Sequence, residues 1–470
     1  MSVEAVLNTR LGLIVAPAGC GKTHLIMNTL NTTQVKPYLV LTHTTAGVTA
    51  LKQRLKSIPA KNYVVTTIDG WALKIAKYFP SLCPIQSRPE QGKVFYPELR
   101  LQVLQLLRTG QINDLIQASY SRLLVDEYQD CDLKQHHLVQ ALSTTLPTVV
   151  FGDPMQCIFN FGGPMPDWGK DVETYYPLLM TLENPWRWSN AETPILGDWI
   201  LRCRKALFEG NKVNLNSCPT HISYRVLTGN ATTDMKNQQD AHYSLIKAYP
   251  KDSVLVIGDS KRPSVGHNFA QRTSSLDVVE PVDFGVVTSA AAQLDKAVGM
   301  NLIRCILDTA STMMTNVEIP KTLQRINTIQ SGKNRTPPTP TEHSLLRLAQ
   351  DYSRENILDT FVAIEEKSGV RIYRKAAFYA LKDAILLSMT FPEKSLYDAA
   401  TKVREQRRRQ GDKRISRRAI GSTLLLKGLE CDHVIILDAG SMDSNNLYVA
   451  LSRGAKSITV FSQSNLAGAT

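Results

Sequence analysis

A segment near the start of the chain has the residue types and spacing of a phosphate-binding loop. It follows the apolar run Leu11–Val15 and precedes a helical pattern. Its glycines let backbone N–H groups approach phosphate oxygens, and the following helix N-terminus favours an anion. Lys22 then supplies a charge to the β- and γ-phosphates, and the Thr23 hydroxyl is a Mg²⁺ ligand. The candidate nucleotide-binding residues are Ala16, Pro17, Ala18, Gly19, Cys20, Gly21, Lys22, Thr23 and His24.

Two adjacent carboxylates, Asp126 and Glu127, end a later apolar run, Leu123–Val125. At the end of a parallel strand near the loop, Asp126 can hold Mg²⁺. Glu127 can there orient or deprotonate the water that attacks the γ-phosphate. An acidic pair also favours a helix N-terminus for purely structural reasons, and the pair alone does not separate the two interpretations.

Three further polar residues are candidates for the same chemistry. Gln156 follows the apolar run Thr148–Phe151, where its amide can sense the γ-phosphate by hydrogen bonding. Arg187 and Arg453 are candidates for stabilising charge on the transferring phosphoryl group, a role worth about 10³-fold or more in rate. Singly, residues of these types are more often ordinary surface residues.

The apolar runs that carry these residues are short and rich in β-branched side chains, with helix-length stretches between them. The first set is Leu11–Val15, Tyr38–Leu41, Tyr63–Thr66, Leu123–Val125 and Thr148–Phe151. The second set is Ile222–Val226, Ser253–Ile257, Val278–Phe284, His433–Leu437 and Ser457–Phe461. This alternation predicts an α/β fold with two parallel sheets flanked by helices.

A helical stretch at about 290–418 interrupts the second set. We expect a first domain at 1–180 with a small helical insert at about 78–118, a second domain at 181–289 and 419–470, and a helical insert at 290–418. The insert ends in basic residues: Arg404, Arg407, Arg408, Arg409, Lys413, Arg414, Arg417 and Arg418. Two interpretations of this basic stretch stay open, a solvated helix and loop or a contact with a phosphate backbone.

The overall composition narrows the class of protein. The 470 residues include 54 Lys and Arg against 42 Asp and Glu, and the formal net charge of +12 favours a polyanion such as nucleic acid as partner. The eight cysteines form no Cys-x-x-Cys pair, which argues against zinc or iron–sulfur sites and is typical of a reducing compartment. No window approaches the roughly 20 apolar residues of a membrane span. We therefore expect a cytoplasmic protein with no membrane partner.

Taken in chain order, these segments resemble a superfamily 1 helicase of the UvrD/Rep type, from Leu11 to about Phe461. The most specific pieces are Asp126–Asp130 with Gln135, Gly152–Phe159, Lys427–Glu430 and Tyr448–Arg453. The resemblance implies two RecA-like domains with ATP and Mg²⁺ in the cleft between them. Lys22 and Glu127 then lie on one wall of the cleft, Arg187 and Arg453 lie on the other, and Glu430 of the second domain lies near the nucleotide.

The resemblance also implies a nucleic-acid track. It places Thr42, His43, Thr67 and Trp71 at contacts with single-stranded DNA and makes Phe161 a surface on which a base stacks. A buried core position is the alternative for Trp71. Members of the family move 3′ to 5′, which implies an ATP-dependent translocase or helicase on single-stranded or tailed duplex DNA. Residues 1–10 contain no glutamine to read adenine, so the base preference stays open.

A second hypothesis rests on the short inserts of this chain. Compact relatives of the family occur beside nucleases in bacterial antiphage systems such as Gabija. The chain is then a DNA-sensing or partner-regulating ATPase subunit of a nuclease-containing antiphage complex, with little unwinding by itself. DNA repair and an RNA substrate also stay open.

Overall fold

The computed structural model of the protein describes residues 2–56, 62–89, 91–159, 163–281, 283–410 and 416–468. The backbone forms two six-stranded parallel sheets together with many helices, which confirms the predicted α/β fold class and is consistent with two RecA-like domains. Among these residues, none of the helices has both the length and the apolar character needed to cross a bilayer.

The strands are short, as the apolar runs predict. They are β1 (Leu11–Val15), β2 (Tyr38–Thr42), β3 (Tyr63–Thr67), β4 (Arg122–Asp126), β5 (Thr148–Gly152), β6 (Leu178–Thr181), β7 (Val213–Asn214), β8 (Ile222–Val226), β9 (Val254–Gly258), β10 (Asp277–Val278), β11 (Arg418–Ser422), β12 (Cys431–Ile436), β13 (Gly454–Ser462) and β14 (Leu466–Ala467).

The helices fill the stretches between the strands. They are α1 (Ser2–Asn8), α2 (Lys22–Leu30), α3 (Thr45–Leu55), α4 (Ile68–Tyr78), α5 (Gly92–Thr109), α6 (Asn113–Ser119), α7 (Leu133–Thr145), α8 (Trp186–Asn190), α9 (Pro194–Phe208), α10 (Ala231–Ala248), α11 (Pro263–Arg272), α12 (Gly285–Leu294), α13 (Gly299–Ser311), α14 (Ile319–Gln330), α15 (Pro340–Gln350), α16 (Arg354–Glu365), α17 (Lys375–Thr390), α18 (Leu396–Gln410), α19 (Thr423–Leu426) and α20 (Ser444–Leu451).

The chain divides into two compact units, residues 1–227 with 438–470 and residues 228–437. The first unit contains the whole first sheet, in the order β3-β2-β4-β5-β1-β6, as well as the parallel pair β8 and β13. The second unit contains β10, β11, β9 and β12, each parallel to its neighbour in that order. The domain boundaries expected from the sequence stay a prediction.

The first sheet has an apolar core on each face, which explains its unbroken apolar runs. Along β2, Leu39 and Leu41 belong to one core, whereas Tyr38 and Val40 belong to the other. Alternate side chains of a strand point to opposite faces, so a strand that is covered on both sides needs an apolar residue at every position. Burial on both faces therefore selects the residues of β2 and of its neighbours.

The carboxyl ends of three parallel strands carry the candidate catalytic segments. Val15 at the end of β1 pairs in register with Gly152 at the end of β5, and Thr42 at the end of β2 pairs with Asp126 at the end of β4. Residues that follow such neighbouring strands emerge at one edge of the sheet. The sheet thus brings together segments that are more than one hundred residues apart in the chain.

The second unit differs from the sequence prediction at two strands. The strand predicted at Val278–Phe284 is wrong in extent, because only Asp277–Val278 pairs and Pro281 has no N–H group to donate to a ladder. The sequence analysis missed β11, which follows the basic stretch and lies between β10 and β9. Helices α12–α18, which lie between β10 and β11 in the chain, enclose a separate apolar core.

His136 in α7 gives the first unit a built-in sensitivity to acid. Its ring is buried, and Nδ1 lies 2.8 Å from the hydroxyl oxygen of Tyr128. Burial, with a smaller contribution from His137, lowers the pKa of His136 from 6.5 to about 4. The imidazole is therefore neutral at pH 7, and the folded protein resists taking up a proton there.

We predict that this histidine destabilises the fold as the pH falls from 6.5 towards 4. The unfolded chain binds the proton first, so its contribution to stability is complete above pH 6.5 and about 2 kcal/mol is lost by pH 5. The variant His136→Gln should show a correspondingly weaker pH dependence of its urea midpoint between pH 7 and 5. Replacement of the exposed His343 by Gln is the matched control, and equal slopes in both variants would contradict the assignment.

Candidate functional site

The phosphate-binding loop connects β1 to α2 and has a backbone that only glycine allows. Gly19 and Gly21 adopt φ values of +74° and +89°, in the left-handed region that side chains disfavour. A β-carbon on Gly19 would lie 2.9 Å from Cβ of Arg187 and from the ring of Trp188. The loop is therefore closed on one side by the segment around Arg187, and its N–H groups precede a helix N-terminus that favours phosphate.

Lys22, the first residue of α2, lies between the two predicted catalytic carboxylates. Its ammonium nitrogen is 2.9 Å from Oδ1 of Asp126 and also forms an ion pair with Glu127. Burial lowers the pKa of Lys22, but the two carboxylates outweigh burial and the pKa is raised above its ordinary value. Burial raises the pKa of Asp126, while Lys22 acts in the opposite direction. Lys22 thus stays charged and compensates the charge of the two carboxylates at the end of β4.

Glu127 adopts a backbone conformation that is rare for a residue with a side chain. Its φ is +55° and its ψ is 45°, directly after the end of β4. Such conformations cost about 1–3 kcal/mol and persist where the surrounding structure holds them, often at functional sites. The side-chain amide of Gln129 donates a 2.6 Å hydrogen bond to Oε2 of Glu127. The hydrogen bond from Gln129 and the ion pair with Lys22 hold this carboxylate in place, although the backbone of Glu127 is strained.

Gln129 and Asp153 extend this polar arrangement to the segment after β5. The backbone N–H of Asp153 donates to Oε1 of Gln129 at 3.1 Å, and Nε2 of Gln156 donates to Oδ2 of Asp153 at 3.1 Å. Both Asp153 and Gln156 are buried. The structure therefore connects the predicted γ-phosphate sensor Gln156 to Glu127 through two side chains.

Arg204 of α9 completes the arrangement, and the sequence analysis missed it. Its guanidinium donates two hydrogen bonds to Oδ1 of Asp153, at 2.7 and 3.0 Å. Asp153 is 1 % exposed, so the arginine compensates a carboxylate that would otherwise be buried without a charged partner. No sequence signal separates Arg204 from Arg202, the other arginine of its helix, because the pairing depends on how α9 packs.

The two predicted phosphoryl-stabilising arginines occupy different positions. The backbone N–H of Arg187 donates to the carbonyl of Gly19 at 3.1 Å, and its guanidinium donates to the carbonyl of Ser452. Arg453 is buried, and its guanidinium donates to the carbonyl of Val449 and to the hydroxyl of Ser452. Arg187 therefore adjoins the loop, whereas the described bonds of Arg453 hold it against the end of α20.

Tyr448 ties α20 to the phosphate-binding loop. Its buried hydroxyl accepts a 2.9 Å hydrogen bond from the backbone N–H of Ala18. Burial raises the pKa of Tyr448 well above its ordinary value, so the phenol stays neutral. The sequence analysis placed Tyr448 in a characteristic segment without giving it a contact.

Two further residues adjoin the loop without having been predicted. Trp186 is 54 % exposed, and a β-carbon on Gly21 would lie 3.1 Å from its ring. Arg54 in the last turn of α3 donates a 2.9 Å hydrogen bond to the hydroxyl oxygen of Thr23, the predicted metal ligand. An aromatic face and a second cation thus flank the two ends of the Gly-Lys-Thr sequence.

The remaining predicted nucleotide-binding residues are varied in their surroundings. Cys20 is buried, and burial raises the pKa of its thiol to about 12, which leaves it an unreactive thiol. His24 is exposed in the first turn of α2. Glu430 is exposed immediately before β12 in the second unit, and its place near a nucleotide stays a prediction.

The predicted nucleic-acid contacts differ in their exposure. Trp71 and Thr42 are each 1 % exposed, and Trp71 belongs to a core of the first sheet, which is the alternative position given for it above. Their contacts with DNA stay a prediction. His43 and Thr67 are partly exposed, and the Thr67 hydroxyl caps α4 by accepting from the N–H of Gly70. Phe161 lies outside the described residues, and its stacking role stays a prediction.

A hydrogen-bond network joins His43 to α7. Nδ1 of His43 lies 3.1 Å from Oε1 of Gln135, whose amide nitrogen lies 3.4 Å from Asp69. Arg100 pairs with Asp69 and with Asp132, which caps the N-terminus of α7. The network begins five residues after Glu127 and reaches the segments that follow β2 and β3.

A match to a protein family agrees with this loop and strand arrangement. Residues 1–162 match a protein family described as AAA domain, and the match supports a helicase-like P-loop ATPase. A search of curated proteins found no match. One solved structure that matches is a complex of Arterivirus nonstructural protein 10, a helicase, with DNA. It is 7 % identical with a TM-score of 0.34, and the match covers 98 % of this chain but only 62 % of that one.

We predict that the Tyr448 hydroxyl contributes to nucleotide affinity by holding the loop. The variant Tyr448→Phe leaves the N–H of Ala18 without its buried acceptor, a loss of about 1 kcal/mol or more. We expect roughly fivefold weaker binding of a fluorescent, slowly hydrolysed ATP analogue. Replacement of the exposed Tyr397 by Phe is the matched control, and unchanged affinity in the Tyr448 variant would show that this bond does not shape the loop.

Proposed function

We propose that the protein is an ATPase that is stimulated by nucleic acid and moves 3′ to 5′ along single-stranded DNA, with duplex unwinding where the track is tailed. The observation that carries the ATPase part is the placement of Lys22 between Asp126 and Glu127 at the phosphate-binding loop. The Lys22 side chain is 12 % exposed, and the two carboxylates compensate its charge. The phosphates of ATP are anions that can take the place of these carboxylates.

In this proposal Lys22 exchanges its carboxylate partners for phosphate oxygens when ATP binds. The ammonium then neutralises the β- and γ-phosphates, as a lysine at the end of such a loop does. Glu127 is released from its ion pair and becomes available to the attacking water. Substrate binding and the activation of the base are therefore one event.

Mg²⁺ fits the residues at this edge of the sheet. The Thr23 hydroxyl and the Asp126 carboxylate are the oxygen donors that Mg²⁺ prefers, and each already lies within hydrogen-bonding distance of a cationic side chain. Bound there, Mg²⁺ supplies charge neutralisation for the β- and γ-phosphates. We propose Thr23 and Asp126 as the residues that hold it.

The proposed hydrolysis uses residues that the network around Asp153 positions. Glu127 orients or deprotonates the water. Gln156 hydrogen-bonds the γ-phosphate, and its bond to Asp153, which pairs with Arg204, couples this contact to both residues. Arg187, whose backbone is bonded to the loop at Gly19, contributes positive charge as the phosphoryl group departs. The assignment of Arg453 to the same task rests on the sequence resemblance.

Trp186 is proposed to bind the nucleotide base. Its exposed ring lies beside Gly21, at the end of the loop where the helix begins. An indole face can stack on any base, because every base has a π-face. Recognition by stacking alone implies a tolerant base preference.

The nucleic-acid track is proposed from His43, Thr67 and the basic balance of the chain. The network of Gln135, Asp69 and Arg100 connects His43 with the N-terminus of α7, directly after the catalytic carboxylates. A change at Glu127 can therefore reach a DNA-contacting segment through hydrogen bonds. DNA rather than RNA is proposed from the sequence resemblance, as is the direction of movement. The cytoplasmic location is proposed from the eight scattered cysteines, which are typical of a reducing compartment.

The alternative is an ATPase subunit of an antiphage complex that regulates a nuclease and unwinds little by itself. It is motivated by the small insert, in which α12–α18 occupy only 285–410. A strand-displacement assay on duplexes with a 3′ tail separates the two proposals. Annealed duplexes in the presence of rapid ATP consumption would favour the partner-dependent function.

We predict that ATP hydrolysis rises with single-stranded DNA and that Glu127→Gln lowers kcat by about 10²-fold or more, because the amide cannot accept a proton. The glutamine variant should still bind ATP, whereas Lys22→Ala should lose most of its affinity. Phosphate release is measured with single-stranded DNA, duplex DNA and RNA side by side. Replacement of the exposed Glu173 by Gln is the control. One rate with and without every nucleic acid would exclude a nucleic-acid-stimulated ATPase.

We predict that Trp186→Ala raises the KM for ATP roughly tenfold, because a stacked base contributes about 1–3 kcal/mol. Inhibition by tripolyphosphate, which has no base, should not change, and Trp186→Phe should retain most of the affinity. Steady-state hydrolysis of ATP and GTP measures both effects. An equal loss of tripolyphosphate binding would mean that Trp186 shapes the loop instead of contacting the base.

A further inference from the structure

A shallow basic cavity lies in the second unit, at the amino end of two strands. Its volume is about 340 Å³, and it is lined by the first residues of β10 and β11 together with the start of α17. Four cationic side chains line it, namely Arg371, Lys375, Arg417 and Arg418. One carboxylate among the lining residues, Asp277, opposes them.

Most of this positive charge is not neutralised within the cavity. Lys375 pairs with Asp277 at 3.0 Å. Arg371 donates instead to the backbone carbonyls of Ala270 and Leu276, and Arg418 donates to that of Pro250. A carbonyl orients a guanidinium but leaves its full charge in place. The cavity therefore keeps a positive potential that a bound anion can use.

Arg417 is the residue of this cavity most available to a ligand. It is exposed, and its side chain has no hydrogen bond or ion pair with any part of the chain that the structure describes. The hydroxyl of Ser416 donates to the carbonyl of Arg418 and accepts from its N–H, so the backbone on both sides of Arg417 is held in a turn. The guanidinium is thus presented from a fixed backbone.

The positive charge of Arg418 also affects the pKa of a buried histidine, His242. Burial, and after it the charge of Arg418, lowers the pKa of His242 in α10 to about 4. The ring is therefore neutral at physiological pH and adds no charge of its own. The cations are consequently the charged groups that a ligand in this cavity meets, apart from Asp277.

We propose that this cavity binds a backbone phosphate of a nucleic acid, at a contact separate from His43 and Thr67. Arginine forms paired hydrogen bonds with phosphate, and an open cavity suits a chain that passes through it better than a small ligand that must be enclosed. The inference rests on the proposed function in that it assigns the same partner, a nucleic acid.

The test compares two exposed arginines that differ in their relation to the cavity. Arg417→Glu places a negative charge in it, whereas Arg408→Glu makes the same change on α18, at a residue that does not line it. Binding of a fluorescein-labelled single-stranded oligonucleotide to the full chain is measured at several salt concentrations. We expect roughly fivefold weaker binding and a salt slope lower by about 0.7 for Arg417→Glu, with less than half of this effect for Arg408→Glu.

Further arms of the experiment decide between ligands and guard against misfolding. Arg417→Gln should weaken binding by a smaller factor, and hydrolysis without nucleic acid should equal that of the parent in every variant. Equal losses for the Arg417 and Arg408 variants would overturn the proposal, because they would show a general charge effect. Unchanged oligonucleotide binding by Arg417→Glu, with weaker direct binding of inorganic phosphate, would also overturn it in favour of a small phosphate ligand.

The outcomes also separate this inference from the proposed function. If nucleic acid stimulates hydrolysis but Arg417→Glu binds the oligonucleotide like the parent, only the cavity assignment fails. If hydrolysis is insensitive to nucleic acid while binding still depends on Arg417, the cavity assignment stands and the proposed function fails.

Discussion

The ammonium group of Lys22 holds two carboxylates at the edge of the first sheet, and the rest of the site depends on this interaction. Asp126 and Glu127 are adjacent, and without a cation their mutual repulsion and partial burial would oppose ionisation of both. The lysine is supplied by the loop that binds phosphate. In the proposed function, one side chain therefore couples nucleotide binding to the charge state of the two carboxylates.

The loop keeps its form because it is held from several directions. Trp188 and Arg187 leave no room for a side chain at Gly19, the N–H of Arg187 bonds to its carbonyl, and Tyr448 bonds to the N–H of Ala18. A preformed loop has less conformational entropy to lose on binding. Because Arg187 and Tyr448 bond directly to the loop, a displacement of the loop would also displace the segments that carry them.

Glu127 combines backbone strain with a connection to distant segments. Its left-handed conformation is stabilised by the bond from Gln129, which continues through Asp153 to Arg204 and Gln156. On the other side, Asp132 and Gln135 connect the start of α7 with Asp69 and His43. One short segment after β4 therefore has polar connections both to the candidate phosphate sensor and to a candidate DNA contact. In the proposed function, these connections are the physical route by which hydrolysis acts on a nucleic-acid track.

The sequence alone determined the phosphate-binding loop, the carboxylate pair and most strands, because each depends on local residue types: glycine before Lys22, and apolar runs at β2 and β4. The sequence also contained the signal that ends β10 early, because Pro281 cannot donate a ladder hydrogen bond, but the predicted strand ran past it. Only the tertiary structure decided the contacts of Arg204, Trp186, Arg54 and Tyr448, since one arginine or aromatic residue resembles another until helices pack. It likewise decided that Trp71 is a core residue. Local spacing identifies groups that must lie near each other in the chain, whereas partners from distant elements are chosen by packing.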